Sequence, residues 1–296
     1  MKAIGILARP GLTEAGPALR DLVAWLQARS LRPLLEEKTA SLLDGKGGDW
    51  DVLPGALLAG KADALIVLGG DGTLLAASQL TGERSIPVLG VNFGSLGFLT
   101  DVTLGELYPA LEALLAGSHR YEERRLLRAM VRRPGQPDLQ KDVLNDVVIT
   151  KAALSRIIEL DVWIDGLFVS RFRADGLIVS SPTGSTAYNL AAGGPILHPT
   201  LAAVVLTPIC PHMLTNRPLV TGDEAKIEVR LRERADDSLV HITFDGQLGF
   251  PLSAEDVVTV TRSPRVLRLV RAPARDYYEV LRTKLKWGEQ AARRRK

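Results

Sequence analysis

One short stretch constrains this chain more than any other. Ala64–Leu68 (ALIVL) is a continuous apolar run, followed directly by Gly69-Gly70-Asp71-Gly72-Thr73 and then by Leu74-Leu75-Ala76-Ala77. An unbroken apolar run of this length, bounded by a turn, is the pattern of a parallel strand buried on both faces. Strand, glycine-rich turn, helix is the connection that sets backbone N–H groups and a helix amino end against a phosphate. Asp71 then stands at the carboxyl end of the strand, where open α/β sheets bind ligands. The same Asp also suits a helix N-cap, a purely structural role. Two phosphate motifs are missing. No Lys follows as a Walker turn requires, and Leu75 occupies the place of the third glycine of a dinucleotide fingerprint.

The surrounding rhythm predicts the fold class. Ala3–Leu7, Leu31–Leu35 and Ile86–Val91 are further short apolar runs. Ala18–Ala28, with Leu19, Leu22, Val23 and Leu26 on one face, and Leu104–Leu115 have helical spacing. Strand and helix signals in alternation imply an open, Rossmann-like α/β domain over residues 1–120. From Tyr121 to about Val270 the runs alternate with period two instead. Ile158–Ile164 and Leu167–Arg173 flank Asp165-Gly166, a hairpin signal, and Lys226–Leu231, Val240–Phe244 and Val257–Thr261 continue the pattern. A β-rich, antiparallel domain over 121–270 is expected. Helical spacing returns in Arg275–Trp287, so 271–296 is expected to complete the first domain.

Composition removes several function classes. The chain has 37 basic and 34 acidic residues, and the last four residues (Arg293 to Lys296) carry more positive charge than the net +3. No nucleic-acid coat is indicated. No apolar stretch approaches the ~20 residues of a membrane span. The opening residues read as a strand, not a secretion leader, and cytoplasmic residence is expected. A single cysteine, Cys210, excludes an internal disulfide and a cysteine metal site; it reads as a small buried apolar residue. His119, His198, His212 and His241 are scattered without ligand spacing, so no protein-built metal site is expected.

Four further clusters carry polar chemistry. Gly90-Val-Asn92-Phe-Gly94-Ser-Leu-Gly97-Phe98-Leu-Thr100-Asp101 is either a loop approaching a ligand or a turn with a core Phe. Arg173 to Pro195 combines a strand, a Ser/Thr/Gly turn (Pro182 to Thr186) and a short helix bearing Tyr188, whose ring could stack on a base. Asn145-Asp146 opens a strand, and Asp245-Gly246-Gln247 follows one. Each of these last two is equally a strand entry or a hairpin turn.

Taken together and in this order, the motifs resemble those of the NAD kinase family, over residues 60 to 287. The Asp175 to Pro195 stretch is the specific part; GGDGT alone is shared with lipid kinases. The resemblance implies phosphorylation of the adenosine ribose 2′-hydroxyl of NAD to give NADP, at an active site between the two domains. It implies Asp71 as general base with Gly72 beside it, and Phe98 lining the adenine pocket. Asn145 and Asp146 would hold the adenosine part of NAD. Arg156 and Arg173 would reach the dinucleotide, and Asp175 would hold its nicotinamide side. Thr186, Ala187, Tyr188, Asn189, Leu190 and Ala191 would form the turn that NAD wraps, with Gln247 a further contact. Ser181 and Asp146 stand where relatives often have Thr and Glu. Also implied are ATP, another triphosphate or polyphosphate as donor, a divalent ion such as Mg²⁺, and a homodimer or homotetramer. The competing readings are a lipid kinase, a non-catalytic NADP(H) sensor and a hydride-transfer enzyme.

Overall fold

The structure, a computed structural model, describes residues 1–43, 48, 50–94, 96–152, 156–213, 215–232, 240–271 and 275–287. The chain divides into two units. The first is Met1–Glu123 with the described residues from Leu267 on; the second is Arg124–Val266.

In the first unit, β1 (Ala3–Ala8), α1 (Ala15–Gln27), β2 (Arg32–Glu36), α2 (Glu37–Ala40), β3 (Asp51–Leu53), α3 (Gly55–Lys61), β4 (Ala64–Leu68), α4 (Asp71–Leu80) and β5 (Pro87–Asn92) alternate along the chain. A two-residue β6 (Val102–Thr103) and α5 (Leu107–Leu115) follow. The strands pair in parallel in the order β3-β2-β1-β4-β5. All five residues of β4 are buried, as its unbroken apolar run predicts. In α1, Leu19, Leu22, Val23 and Leu26 share one core with β1 and β4, each worth ~1.5–3 kcal/mol on burial. The chain leaves β1 toward β2 on one side and returns through α3 to β4 on the other. The carboxyl ends of β1 and β4 therefore flank the switch point of the sheet.

The second unit is antiparallel. It contains β7 (Tyr121–Arg132), which starts in the first unit, β8 (Leu139–Val143), β9 (Asp146–Lys151), β10 (Ile158–Ile164), β11 (Leu167–Ala174) and β12 (Gly176–Ser180). After the short α6 (Tyr188–Ala191) come β13 (Ala203–Ile209), β14 (Leu219–Gly222), β15 (Ile227–Leu231), β16 (Val240–Phe244), β17 (Leu248–Leu252) and β18 (Val257–Val270). One sheet runs β14-β13-β12-β9-β16-β17; a second layer has β11-β10-β15-β18. Alternate residues such as Ile158, Leu160 and Val162 of β10 and Val147 and Ile149 of β9 meet in one core. Asp165 and Gly166 both have positive φ, 51° and 80°, the turn that a two-residue hairpin demands.

Two sequence expectations change. β18 continues to Val270, far past Thr261. Pro264 ends the apolar alternation in sequence, yet a proline is tolerated where the ladder does not need its N–H. The chain re-enters the first unit within this strand, whose last residues pair in parallel with β5. Cys210 is exposed, with φ 45°, because the left-handed turn before Pro211 swings it off the end of β13. The final helix, α7 (Tyr277–Leu285), is capped by Asp276, whose side chain accepts from Glu279 N; the basic tail at 293–296 lies outside the described residues.

Candidate active site

Asp71 does not cap its own helix. Gly70 is the N-cap of α4 and makes no side-chain cap bond. The Asp71 carboxylate instead crosses to the loop after β5. Its Oδ1 accepts from Leu99 N (3.1 Å), Thr100 N (3.1 Å) and Thr100 Oγ1 (3.0 Å), and its Oδ2 from Phe98 N (2.9 Å). Asn92 Nδ2 in turn donates to Thr100 Oγ1 (3.2 Å). Three successive backbone N–H groups thus aim the carboxylate, and they leave Oδ2 the less occupied oxygen.

Gly97 is required by this arrangement. A Cβ there would lie 2.8 Å from Asp71 Cγ and closer still to Oδ1 and to Thr100 Oγ1. So the loop approaches Asp71 itself at Gly97, while a Cβ on Gly90 would meet Leu74, Thr100 and the Leu99 carbonyl. Gly70 and Gly72 behave differently. A Cβ on either meets nothing within 4 Å, and Gly70 has an ordinary φ of −106°. Folding makes no demand for glycine at these two positions, and they leave open space at the amino end of α4. A cavity of about 220 Å³ lies alongside, lined by Arg9, Glu14, Gly69, Gly70, Asn92 and Gly94. It sits at the carboxyl ends of β1, β4 and β5, the place where open α/β sheets bind ligands.

In the second unit, three motifs converge around one clasp. Asp245 and Gly246 form the β16–β17 turn, with φ 51° and 63°. The Asp245 carboxylate accepts from Leu144 N (2.9 Å), Asn145 N (2.7 Å) and Asp146 N (3.2 Å). Asn145 O receives Ser181 N (2.8 Å) and Ser180 Oγ (3.2 Å), while Ser181 Oγ donates to Leu144 O (2.5 Å). Asp245 is therefore at once a turn residue and the organiser of Asn145 and Asp146. The motif named it, but only its partners 100 residues away reveal the role. Asp146 is 4% exposed. Burial, and then the charge of Asp245, push its carboxyl up to about 7. Gln247 is exposed on the same turn, its N–H bonded to Phe244 O.

The turn from Thr186 to Ala191 is split by function. Tyr188 is 45% exposed and Thr186 and Ala187 are half-buried, so they present surface. Asn189 points inward and is fully buried. Its amide donates to Ser185 O (3.0 Å) and Pro195 O (3.1 Å), and its Oδ1 accepts from Thr207 Oγ1 (2.6 Å). A Cβ on Gly194 would collide with that amide. Its side chain braces the turn and offers no free group to a ligand.

Asp175 and Arg173 stand elsewhere. β12 pairs Gly176 with Thr150 and Ser180 with Asp146, which places Asp175 at the other end of the strand from the clasp. Five residue steps along the chain separate Asp175 from Ser180, roughly 17 Å. There Lys151 Nζ lies 3.6 Å from Asp175 Oδ1, and Arg173 pairs with Glu159 at 3.3 Å. Arg156 is exposed. The second unit thus brings together Asn145, Asp146 and Gln247 but not Asp175 or Arg173. Phe98 and Asp71 are neighbours in the first unit.

Comparison with known proteins follows the same division. Residues 4–119 match the model of the ATP-NAD kinase N-terminal domain, and residues 144–272 that of the ATP-NAD kinase C-terminal domain. A curated NAD kinase of Citrifermentans bemidjiense is 49% identical over 98% of this chain and 100% of its own length. One of Geobacter sulfurreducens is 48% identical over the same shares. In fold, the chain is similar to yeast NADH kinase complexed with NADH (TM-score 0.87, 23% identity, covering 97% of this chain and 88% of that one). It is also similar to an NAD kinase from Archaeoglobus fulgidus in complex with ATP (TM-score 0.74, 23% identity, 96% and 99%). At nearly half its residues identical over nearly its whole length, this chain belongs to the NAD kinase family.

Proposed function

We propose that the chain transfers a phosphoryl group from ATP to the 2′-hydroxyl of the adenosine ribose of NAD, giving NADP. The observation that carries the role of Asp71 is its carboxylate, fixed by three backbone N–H groups at the end of β4 with Oδ2 still able to accept. Phosphoryl transfer passes through a loose transition state, so catalysis is mostly alignment and charge neutralisation. Asp71 Oδ2 orients the hydroxyl; as the oxygen attacks the terminal phosphorus, Asp71 takes its proton and ADP leaves. The open amino end of α4 supplies N–H dipoles for the donor phosphates, and the cavity beside it offers the Arg9 guanidinium, with Glu14 on the same wall. Asn145, Asp146, Tyr188 and Gln247 hold the dinucleotide, with Phe98 on its adenine; Arg156, Arg173 and Asp175, away from the clasp at the far end of β12, are proposed to reach the part of the dinucleotide that extends past it.

Mg²⁺ is read as part of the substrate. Among the described residues no group of three or more His, Cys, Asp or Glu could hold a metal. A nucleotide-borne Mg²⁺ needs only one or two protein carboxylates, and it neutralises the migrating phosphoryl charge. The reading extends to polyphosphate as an alternative donor, cytoplasmic residence and a homodimer or homotetramer. Among the described residues no helix is long and apolar enough to cross a membrane. The outer strand β11 exposes Leu167, Phe168 and Val169, apolar surface of the kind a self-association buries.

The test is NADP formation from NAD with ATP and then with polyphosphate, for the native chain and for Asp71→Asn. The variant is expected to lose turnover by about 10²-fold or more, while NAD titration still shows near-native affinity. Near-normal turnover by Asp71→Asn removes it from the base role. No NADP from any donor overturns the kinase reading.

A further inference from the structure

We infer that Arg271 is a positioning residue for the phosphoryl transfer, clamping the loop that aims Asp71. The inference rests on the reading of Asp71 as base. Arg271 follows β18, in the segment that has returned to the first unit, and its side chain is 9% exposed. Its guanidinium reaches three groups. Nη2 lies 3.2 Å from Asp101 Oδ2, Nη1 donates to Phe98 O at 3.5 Å, and Nε lies 3.5 Å from Glu122 Oε2. Asp101 is itself 1% exposed. The residue is held a second time, through its backbone carbonyl, which accepts from Arg275 Nη1; that guanidinium also pairs with Glu106 at 2.9 Å.

The link to the reacting carboxylate is one peptide group long. Phe98 C=O and Leu99 N–H belong to the same planar unit and point in opposite directions. Arg271 holds the carbonyl side, and the N–H side donates to Asp71 Oδ1. Fixing the carbonyl therefore fixes the rotation of the plane and the aim of the N–H. At the other end of the loop the Asp101 pair anchors the residue next to Thr100, which gives Asp71 two further hydrogen bonds. Arg suits this task because its fork serves a carboxylate and a carbonyl together, where a Lys ammonium is a single point. The backbone at 271 is tied independently, through its N–H to Arg120 O at 2.9 Å. A change of side chain thus leaves the segment docked.

The experiment compares steady-state NADP formation by Arg271→Lys, Asp101→Asn, the double variant and Asp71→Asn, with a melting curve for each. Loss of loop alignment by a fraction of an ångström is expected to lower kcat about tenfold for each clamp variant. KM for NAD and for ATP stays within about twofold, since no substrate contact is removed. The double variant falls no further than the worse single one, because both act on one clamp. The inference is overturned if folded Arg271→Lys keeps kcat within twofold of native, if KM rises at constant kcat, or if the two losses multiply. If Arg271→Lys does not fold, Asp101→Asn decides by the same kcat and KM criteria. Asp71→Asn separates the layers. If it retains turnover, the base reading has failed; if it is inactive while both clamp variants are native-like, only the clamp has failed.

Discussion

Replacing Gly97 by Ala puts a methyl group into the space that the Asp71 carboxylate occupies. The added carbon would lie 2.8 Å from Asp71 Cγ, against an ordinary carbon–carbon contact of roughly 3.5–4.0 Å. Either the carboxylate or the loop must therefore retreat by about 1 Å. The three bonds to Oδ1, now 3.0–3.1 Å, would then stretch to roughly 4 Å, beyond hydrogen-bonding range. Bonds to a charged group are worth about 1.5–3 kcal/mol each, but Asp71 is half-buried and water replaces part of what is lost. A net loss of about 2–4 kcal/mol is expected, and Tm drops by several degrees. Turnover falls much more, by about 10²-fold, because a reacting group misplaced by 1 Å forfeits alignment. The assay is NADP formation under saturating NAD and ATP, with NAD binding followed by calorimetry. NAD affinity should change little, since no NAD contact is assigned to Gly97. A folded Gly97→Ala enzyme with kcat within threefold of native would falsify the account of how Asp71 is aimed.

Two further predictions concern the second unit. Asp146, pushed up to about 7 by burial and by Asp245, starts from an ordinary value of 3.8. Its contribution to stability is fully present below about 3.8 and is lost as the pH rises through about 7. The free protein should therefore lose about 1.4 kcal/mol between pH 6 and pH 8, at 1.36 kcal/mol per unit. Asp146→Asn should flatten that part of the melting profile, and an unchanged slope would assign the loss to other groups. Neighbouring residues 188 and 189 should fail in opposite ways. Tyr188→Ala raises KM for NAD several-fold with little change in Tm, as a lost stacking face worth about 0.5–1.5 kcal/mol predicts. Asn189→Ala strands the Thr207 hydroxyl and two carbonyls, costing about 2–4 kcal/mol of stability. Equal effects of the two on Tm would contradict the split.

The sequence alone determined what periodicity and local turn chemistry can determine. The run Ala64–Leu68 reads as a two-sided buried strand because polar residues never interrupt it. Glycines and Asp71 at its carboxyl end mark a ligand position because that is where an α/β sheet opens. Asp165-Gly166 reads as a hairpin because those residues tolerate positive φ. Each of these signals lies within a few residues of what it specifies. Sheet order and register decided the rest. By sequence Asp71 suits a helix cap, but the loop 27–29 residues away holds its carboxylate. Gly97 owes its identity to that contact. Asn189 and Tyr188 are adjacent in a motif, yet one turns to Thr207 and the other to the surface. Asp175 shares the same long motif with Thr186, but a whole strand separates it from the clasp at Asn145. Arg271 carries no local signal at all: an arginine after a β-strand is an ordinary surface residue until the returning chain brings Phe98 and Asp101 within its reach. Periodicity fixes which way a side chain faces along its own element; only the packing of distant elements fixes what it faces.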